Sequence, residues 1–106
     1  MKIKIEKAAQ LYFVLLELSS KELSFTNAYR VKRNIDHLKA IGTKFLEEVQ
    51  AEGGTVIADQ SVYKKWEESG IEEEIRLMVL ELEKEDVKFT ARQIGGLELL
   101  LSSAEG

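Results

Sequence analysis

Residues 25–52 read FTNAYRVKRNIDHLKAIGTKFLEEVQAE, and this stretch decides the fold because its pattern is that of one long helix. Its small and apolar positions recur at alternating intervals of three and four residues, which indicates a helix with one buried stripe. The stripe consists of Ala28, Val31, Ile35, Leu38, Gly42, Phe45 and Val49. A helix of about 25 residues is roughly 38 Å long. It must therefore be the main scaffold of a chain of 106 residues.

Local signals predict where this helix starts and stops and what packs against it. The hydroxyl of Ser24 or of Thr26 is predicted to cap its first turn, and the glycine pair 53–54 is predicted to end it. Gly42 lies in the middle of the stripe, where glycine is unfavourable unless something packs closely against the backbone. The closely packed group is predicted to be the ring of Tyr12 or Phe13, or a second copy of the chain.

A first helix is predicted over Lys7–Leu18, followed by a turn at residues 19–21. Because this connection is short, the two helices are predicted to form an antiparallel hairpin. The charges of the long helix oppose its macrodipole, being basic near the start and acidic near the end. An antiparallel hairpin would compensate them with charges of the first helix and its flank. The predicted neighbours are Glu17 and Glu22 with Arg30 and Arg33, and Lys4 and Lys7 with Glu47 and Glu48.

A small sheet is predicted to close one side of the hairpin. Met1–Ile5 alternates charged and apolar residues, as a short strand does. The stretch Ile71–Glu83 is ambiguous, since the glutamates at 72–74 favour a helix start while the apolar residues at 76–82 suit a strand equally well. We favour a strand over Arg76–Leu82 that pairs with Met1–Ile5, because an isolated strand needs a partner.

The remaining elements are short. Thr55–Ala58 is predicted to be a short strand or an extended connection. A helix is predicted over Val62–Ser69, with Ser61 as its cap and Gly70 as its end. The last predicted helix covers Ala91–Leu101, begins at a Thr90 cap, and carries Ile94, Leu97, Leu100 and Leu101 on its apolar face. Glycines 95 and 96 inside it indicate a kink or a close backbone approach.

The predicted fold is therefore a mainly helical α+β domain that spans residues 1–106. It consists of a long antiparallel helical hairpin, a small β-sheet formed by the N-terminal strand and a strand near 76–82, and a short C-terminal helix.

Composition excludes several classes of function. The net charge of -4 argues against a basic footprint over the whole surface for nucleic acid or anionic membrane. Without cysteine the chain cannot form a disulfide or a cysteine-ligated zinc or iron–sulfur site. The apolar run at residues 8–18 is too short to span a bilayer. The predicted location is the cytoplasm, without membrane association.

One stripe of the long helix is the candidate anion- or partner-binding site. Arg30, Arg33, His37 and Lys44 fall on it at about 100° per residue. Such a strip suits a phosphate backbone, a nucleotide or an acidic protein surface. The alternative is a solvated flank that pairs with acidic residues of the first helix. A single histidine without further ligands is a poor metal site, so no catalytic, metal or cofactor-binding residue is predicted.

Tyr63 and Trp66 are candidate anchors for a protein partner, because they lie three residues apart on a short helix. The alternative is that both belong to the core face of that helix. The acidic run at residues 67–74 lacks the spacing of a calcium loop, and we interpret it as a solvated helix start.

Three segments together resemble a group of known proteins. They are Leu23-Ser24-Phe25-Thr26-Asn27-Ala28-Tyr29-Arg30-Val31, the acidic Val79-Leu80-Glu81-Leu82, and Phe89-Thr90-Ala91-Arg92-Gln93-Ile94 before a leucine-rich end. Their order resembles small helical proteins encoded by tailed phages and prophages of Gram-positive bacteria. The resemblance implies an accessory, assembly or host-interacting protein of the bacterial cytoplasm or the virion. It implies no catalytic residue.

The predicted function is non-enzymatic. We expect the chain to bind another protein, from the phage or the host, or to bind itself. The long helix outruns the first helix, so about half of its stripe must be covered by the C-terminal elements or by another chain. The alternative function is a nucleic-acid or nucleotide binding module that uses the basic stripe.

Overall fold

The computed structural model describes residues 1–52 and 61–101. Its elements in chain order are strand β1 (Lys2–Lys4), helix α1 (Ile5–Leu18), helix α2 (Phe25–Ala51), helix α3 (Ser61–Ser69), strand β2 (Glu72–Glu74) and helix α4 (Ala91–Gly96), with 3-10 turns at Leu82–Lys84 and Glu98–Leu100. The predicted mainly helical α+β class is confirmed. The helix end at the glycine pair 53–54 and the element over Thr55–Ala58 lie outside the described residues.

Helices α1 and α2 form the predicted antiparallel hairpin. At the closed end Leu18 and Val31 line the same groove, and at the open end Ala9 packs in one cluster with Phe45 and Val49. Between these ends the ring of Tyr12 lies against Gly42, so close that a methyl group at position 42 would overlap it. Tyr12 is therefore the close contact that the glycine predicts, and the second-copy alternative at this position is not needed.

The sheet differs from the prediction in the identity of its second strand. β1 pairs antiparallel with β2, with Lys2 opposite Glu74 and Lys4 opposite Glu72. The predicted strand over Arg76–Leu82 and the predicted helix start at residues 72–74 are therefore wrong. Opposite charges that face each other across two strands stabilise the pair, and this cross-strand match selects the glutamates as partner for the lysines of β1.

The apolar stretch that was predicted to pair with β1 instead packs against the helices. Ile75, Leu80 and Leu82 are buried in the main core cluster. Ile75 exchanges backbone hydrogen bonds with Met1, and further along the stretch Leu80 forms an isolated parallel bridge with Leu101. Through Asn27, Arg30 and Asn34 this stretch lies against the first half of α2. Most of the apolar stripe of α2 is thus buried within the chain, although Ala28 is exposed.

Two buried asparagines of α2 fix this segment. The Asn34 side chain exchanges two hydrogen bonds with the backbone of Met78, and Asn27 does the same with Glu81. The asparagines are seven residues apart on a helix, about 10.5 Å. Their targets are three residues apart, about 10 Å in extended chain. The segment therefore runs antiparallel to α2 in a register that the two amides set.

The predicted ion pairs between α1 and α2 are replaced by pairs with the C-terminal part of the chain. Glu17 binds Arg92 and Gln93, and the Arg30 guanidinium lies 3.9 Å from the Glu81 carboxylate. The hairpin direction was predicted correctly, but the charge partners were wrong, because α4 and the segment 75–82 occupy the flanks of the hairpin.

The C-terminal helix is shorter than predicted. α4 has a Thr90–Gln93 capping box and ends at Gly96, whose backbone lies against the Val14 side chain. The predicted close approach is confirmed. Leu97 and Leu100 are buried as predicted, whereas Ile94 is 45% exposed, since the chain leaves the helix before a continuous apolar face can form.

Candidate functional site

The four residues of the predicted basic stripe have different roles in the structure. Arg30 donates from Nη1 to the Val79 carbonyl at 3.0 Å, so it holds the segment 75–82 and is a structural residue. Arg33, His37 and Lys44 are exposed on α2. None of these three forms an ion pair with another residue of the ranges 1–52 and 61–101. The stripe that remains available is therefore shorter and less basic than predicted.

An exposed aromatic pair lies beside this stripe, on the first two turns of α2. Phe25 is 84% exposed and Tyr29 is 48% exposed. Their rings stack with centroids 6.3 Å apart and planes 20° apart. The spacing of four residues places them next to each other on the helix surface. Most of the Phe25 ring is thus presented to solvent in a defined orientation.

The aromatic pair and two of the basic residues form one row. Phe25, Tyr29, Arg33 and His37 follow one another at intervals of four residues, which is a ridge of a helix surface. We call these four residues the aromatic–basic ridge. Each step turns by about 40° around the helix, so the same row continues through half-buried Ile41 to buried Phe45. The ridge therefore emerges from the core and reaches full exposure at Phe25.

The start of the ridge is held to the rest of the chain by Glu85. This carboxylate accepts the Ser24 backbone N–H at 2.9 Å, the Ser24 hydroxyl at 2.6 Å and the Asn27 amide at 2.5 Å. These hydrogen bonds lower the pKa of Glu85, and the bond from the Ser24 side chain contributes most. Ser24 is the N-terminal cap residue, but its side chain makes no capping hydrogen bond. The predicted hydroxyl cap is wrong because the carboxylate takes that hydroxyl as a donor.

A groove adjoins the ridge on the side of α1. It has a volume of about 160 Å³ and is lined by Leu18, Ser19, Lys21, Leu23, Ala28, Val31 and Lys32. An apolar cavity of about 150 Å³ accommodates a benzene-sized group. Ala28 and Lys32 lie on the same turns of α2 as Phe25 and Tyr29. The surface around the aromatic pair thus combines a projecting ring with a recess.

Trp66 is not available as an exposed anchor. It is 7% exposed, its ring meets Phe45 edge-on with centroids 5.1 Å apart, and its Nε1 donates to Glu48 at 2.8 Å. Tyr63 is half-buried against the same cluster, with the Lys7 ammonium 6.0 Å from its ring centroid. The pair belongs to the core face of α3, which is the alternative that the sequence left open.

The described residues give no indication of a catalytic centre. Within the ranges 1–52 and 61–101, no cluster of three or more His, Asp or Glu side chains is arranged to hold a metal ion. His37 has no hydrogen-bond partner in those ranges that could act with it as a base or a nucleophile. In the same ranges no helix has the length and apolarity to cross a membrane.

Phe25 and Tyr29 were not predicted to be part of a binding surface, although the sequence contains a signal for it. Both lie off the stripe that begins at Ala28, and their mutual spacing of four residues places them together on a different face of α2. Apolar residues on the outward face of an amphipathic helix indicate a binding surface more often when they are large and adjacent.

The last observation comes from comparison with known proteins. Comparison of the chain with protein-family models, with curated protein sequences and with solved structures gives no match. The resemblance to small phage proteins stays a prediction. The function is therefore inferred from the geometry of the chain itself.

Proposed function

We propose that the chain is a non-enzymatic binding protein that docks another protein on the aromatic–basic ridge of α2. Phe25 is the anchor that enters an apolar pocket of the partner, and Tyr29 packs at its edge. Arg33 and His37 contact carboxylates beside that pocket. In the setting that the sequence resemblance implies, this is an accessory, assembly or host-interacting protein of a phage or prophage, acting in the bacterial cytoplasm or in the virion.

The exposure of Phe25 is the observation that carries the proposal. Burial of a phenylalanine side chain is worth about 1.5–3 kcal/mol. The chain uses this gain elsewhere, since Phe45 is buried and Phe13 and Phe89 are half-buried. Phe25 alone among the four phenylalanines is left at 84% exposure. A partner that covers this ring buries the apolar surface that the fold leaves exposed to water.

The ridge also has the residue types and the rigidity of a binding hot spot. Tyrosine and arginine are enriched among residues that dominate binding energies. Phe25 and Tyr29 lie on a helix whose first turn is tied to Glu85, so little conformational freedom remains to be lost on binding.

Paired variants test the proposal. Phe25→Ala with Tyr29→Ala removes the anchor, and Leu99→Ala is the matched control because Leu99 is 52% exposed on another surface. Tagged wild type and both variants are used to recover binding proteins from the cell, and each recovered protein is purified and titrated. The proposal expects a purified protein that binds wild type and Leu99→Ala equally and the double variant at least ten-fold more weakly. Equal binding to all three contradicts it.

The second candidate is a single-stranded nucleic acid. It is favoured by the same ridge, since stacked aromatic rings next to cations bind bases and phosphates. This alternative predicts low-salt binding of a fluorescent DNA or RNA oligonucleotide that weakens in Phe25→Ala and in Arg33→Glu, with a steep salt dependence. No anisotropy change at low salt excludes it without affecting the protein-binding proposal.

A further inference from the structure

The sequence of α2 carries a charge pattern that repeats in reverse order about Ala40. Arg33 lies seven residues before Ala40 and Glu47 lies seven after it. Asp36 lies four before and Lys44 four after, and Lys32 lies eight before and Glu48 eight after. In each of the three pairs the two members have opposite charge. Such an order matches a helix to a second copy of itself that runs in the opposite direction.

The reversal has a direct geometric meaning. A twofold axis perpendicular to α2 that passes midway between the Ala40 residues of the two copies places each residue of one helix opposite the residue equally far on the other side of Ala40 in the second copy. Arg33 then faces Glu47 of the second copy, and Glu47 faces the copy's Arg33. Asp36 and Lys44 form a second symmetric set. We infer that α2 mediates an isologous antiparallel homodimer that crosses at Ala40.

The central residues occupy the correct face of the helix. At about 100° per residue, Arg33 and Glu47 lie roughly 20° to either side of Ala40, and Asp36 and Lys44 roughly 40° to either side. All five are exposed. Helix axes approach to about 8 Å only where the side chains at the contact are small, which alanine satisfies at the crossing point.

The charges of this face lack strong partners within the chain. Arg33, Lys44 and Glu47 form no ion pair within residues 1–52 and 61–101. Asp36 pairs with Lys32 at 3.2 Å, with exposed fractions of 49% and 74% for the two side chains, a pair of the kind worth only about 0.3–0.5 kcal/mol. The basic start and acidic end of α2 also remain unfavourable for its dipole. An antiparallel copy compensates both ends at once.

This contact is distinct from the self-association that the sequence suggested, because that suggestion depended on the apolar stripe of α2, and most of that stripe is buried within the chain. It also goes beyond the proposed partner site. Phe25 lies fifteen residues from Ala40, about 22 Å along the helix. A dimer at Ala40 therefore engages Arg33 of each ridge but leaves Phe25, at the far end of the ridge, available for the other partner.

Charge exchange tests the dimer. Wild type, Arg33→Glu, Glu47→Arg, the double exchange and the control Lys39→Glu are analysed by sedimentation equilibrium from micromolar to millimolar concentration. Lys39 is exposed and lies about 100° away from the Ala40 face. Each single exchange turns two symmetric attractions into repulsions, so we expect dimer dissociation constants at least about ten-fold higher. The double exchange and the control should dimerise as wild type does.

A mixing experiment identifies the symmetry. Arg33→Glu mixed with Glu47→Arg restores both attractions in a 1:1 heterodimer, although each variant alone repels itself. Recovery of dimerisation on mixing, followed with one variant fluorescently labelled, supports the antiparallel contact. A wild type that stays monomeric at millimolar concentration overturns the inference, and so does a dimer that ignores the single exchanges. Phe25→Ala alone should still dimerise, because Phe25 lies about 22 Å along the helix from Ala40 and about 60° away from its face, so failure of the partner proposal and failure of the dimer can be distinguished.

Discussion

Asn34 binds Met78 through both groups of its side-chain amide. Its Oδ1 accepts the Met78 backbone N–H at 2.7 Å, and its Nδ2 donates to the Met78 carbonyl at 2.9 Å. Asn34 is fully buried at 0% exposure. A polar side chain next to the stripe of α2 thus pairs with the backbone at Met78 as a neighbouring strand would. This contact fixes the C-terminal half of the chain on the hairpin.

Replacement of Asn34 should therefore destabilise the whole fold. Asn34→Ala removes both hydrogen bonds to the Met78 backbone, and each is worth about 0.5–1.5 kcal/mol. We expect the free energy of unfolding in urea to fall by about 1–3 kcal/mol. Gln10→Ala, which removes an exposed amide from α1, should change it by less than about 0.5 kcal/mol. Equal effects of the two variants would show that Asn34 does not hold the segment.

Gly42 and Gly95 should respond oppositely to alanine. A methyl at position 42 overlaps the Tyr12 ring, whereas one at position 95 meets nothing within 4 Å. Gly42→Ala is expected to lower stability by about 1–3 kcal/mol despite its better helix propensity. Gly95→Ala should raise stability by about 0.5–1 kcal/mol. Thermal unfolding of both variants measures this, and Tyr12→Leu should recover part of the loss at position 42. Stabilisation by Gly42→Ala would contradict the close Tyr12 contact.

Glu85 should make the fold sensitive to acid. Its pKa is lowered from the ordinary 4.5 by hydrogen bonds from Ser24 and then Asn27. A lowered folded pKa means that the stabilisation is complete above the unfolded value and is lost as the pH falls through the folded value. The melting temperature of Glu85→Gln should therefore lie below that of wild type at pH 7, and the difference should shrink below about pH 4.5. Glu83→Gln is the exposed control. A difference that is constant down to pH 3 would contradict this role.

Glu6 is a site where an apolar substitution should stabilise. It is 1% exposed, and its Oε1 has no hydrogen-bond partner among the described residues. A buried carboxylate oxygen without a partner is unfavourable, and apolar replacement of buried charged groups often gains about 1–4 kcal/mol. We expect Glu6→Met to raise the midpoint of urea unfolding without a change in its slope. A drop in the midpoint would show that the carboxylate has a stabilising partner in solution.

Periodicity in the sequence was sufficient for the helical half of the fold. The spacing of Val31, Leu38, Phe45 and Val49 predicts the buried face of α2, and all four are buried. The short turn predicts the hairpin, and Gly42 predicts its closest contact. These features depend on residues that are neighbours on one helix or on one connection, so local rules capture them.

Which residue is buried at the start of α2 depends on partners distant in sequence. Ala28 was predicted to face the core but is exposed, while Asn27 is buried in its place. An asparagine is a suitable core residue only when a backbone segment is present to use both groups of its amide. That segment is 54 residues away, and no local pattern indicates it.

The candidate site shows the same division. The sequence placed Arg33, His37 and Lys44 on one stripe of α2, and it supplied the spacing of Phe25 and Tyr29. Only the tertiary structure decided that Arg30 is occupied by the Val79 carbonyl, that Trp66 is core, and that the Phe25 ring is uncovered.

The sequence by itself thus determined the helices, the direction of the hairpin and the reversed charge order about Ala40. These features follow from intervals along one chain that helix geometry converts directly into faces. The tertiary structure decided which strand pairs with β1, which charges pair, and which aromatic ring remains exposed. Those outcomes are competitions among distant groups for the same partner, and hydrogen bonding and burial settle them only when the whole chain has folded.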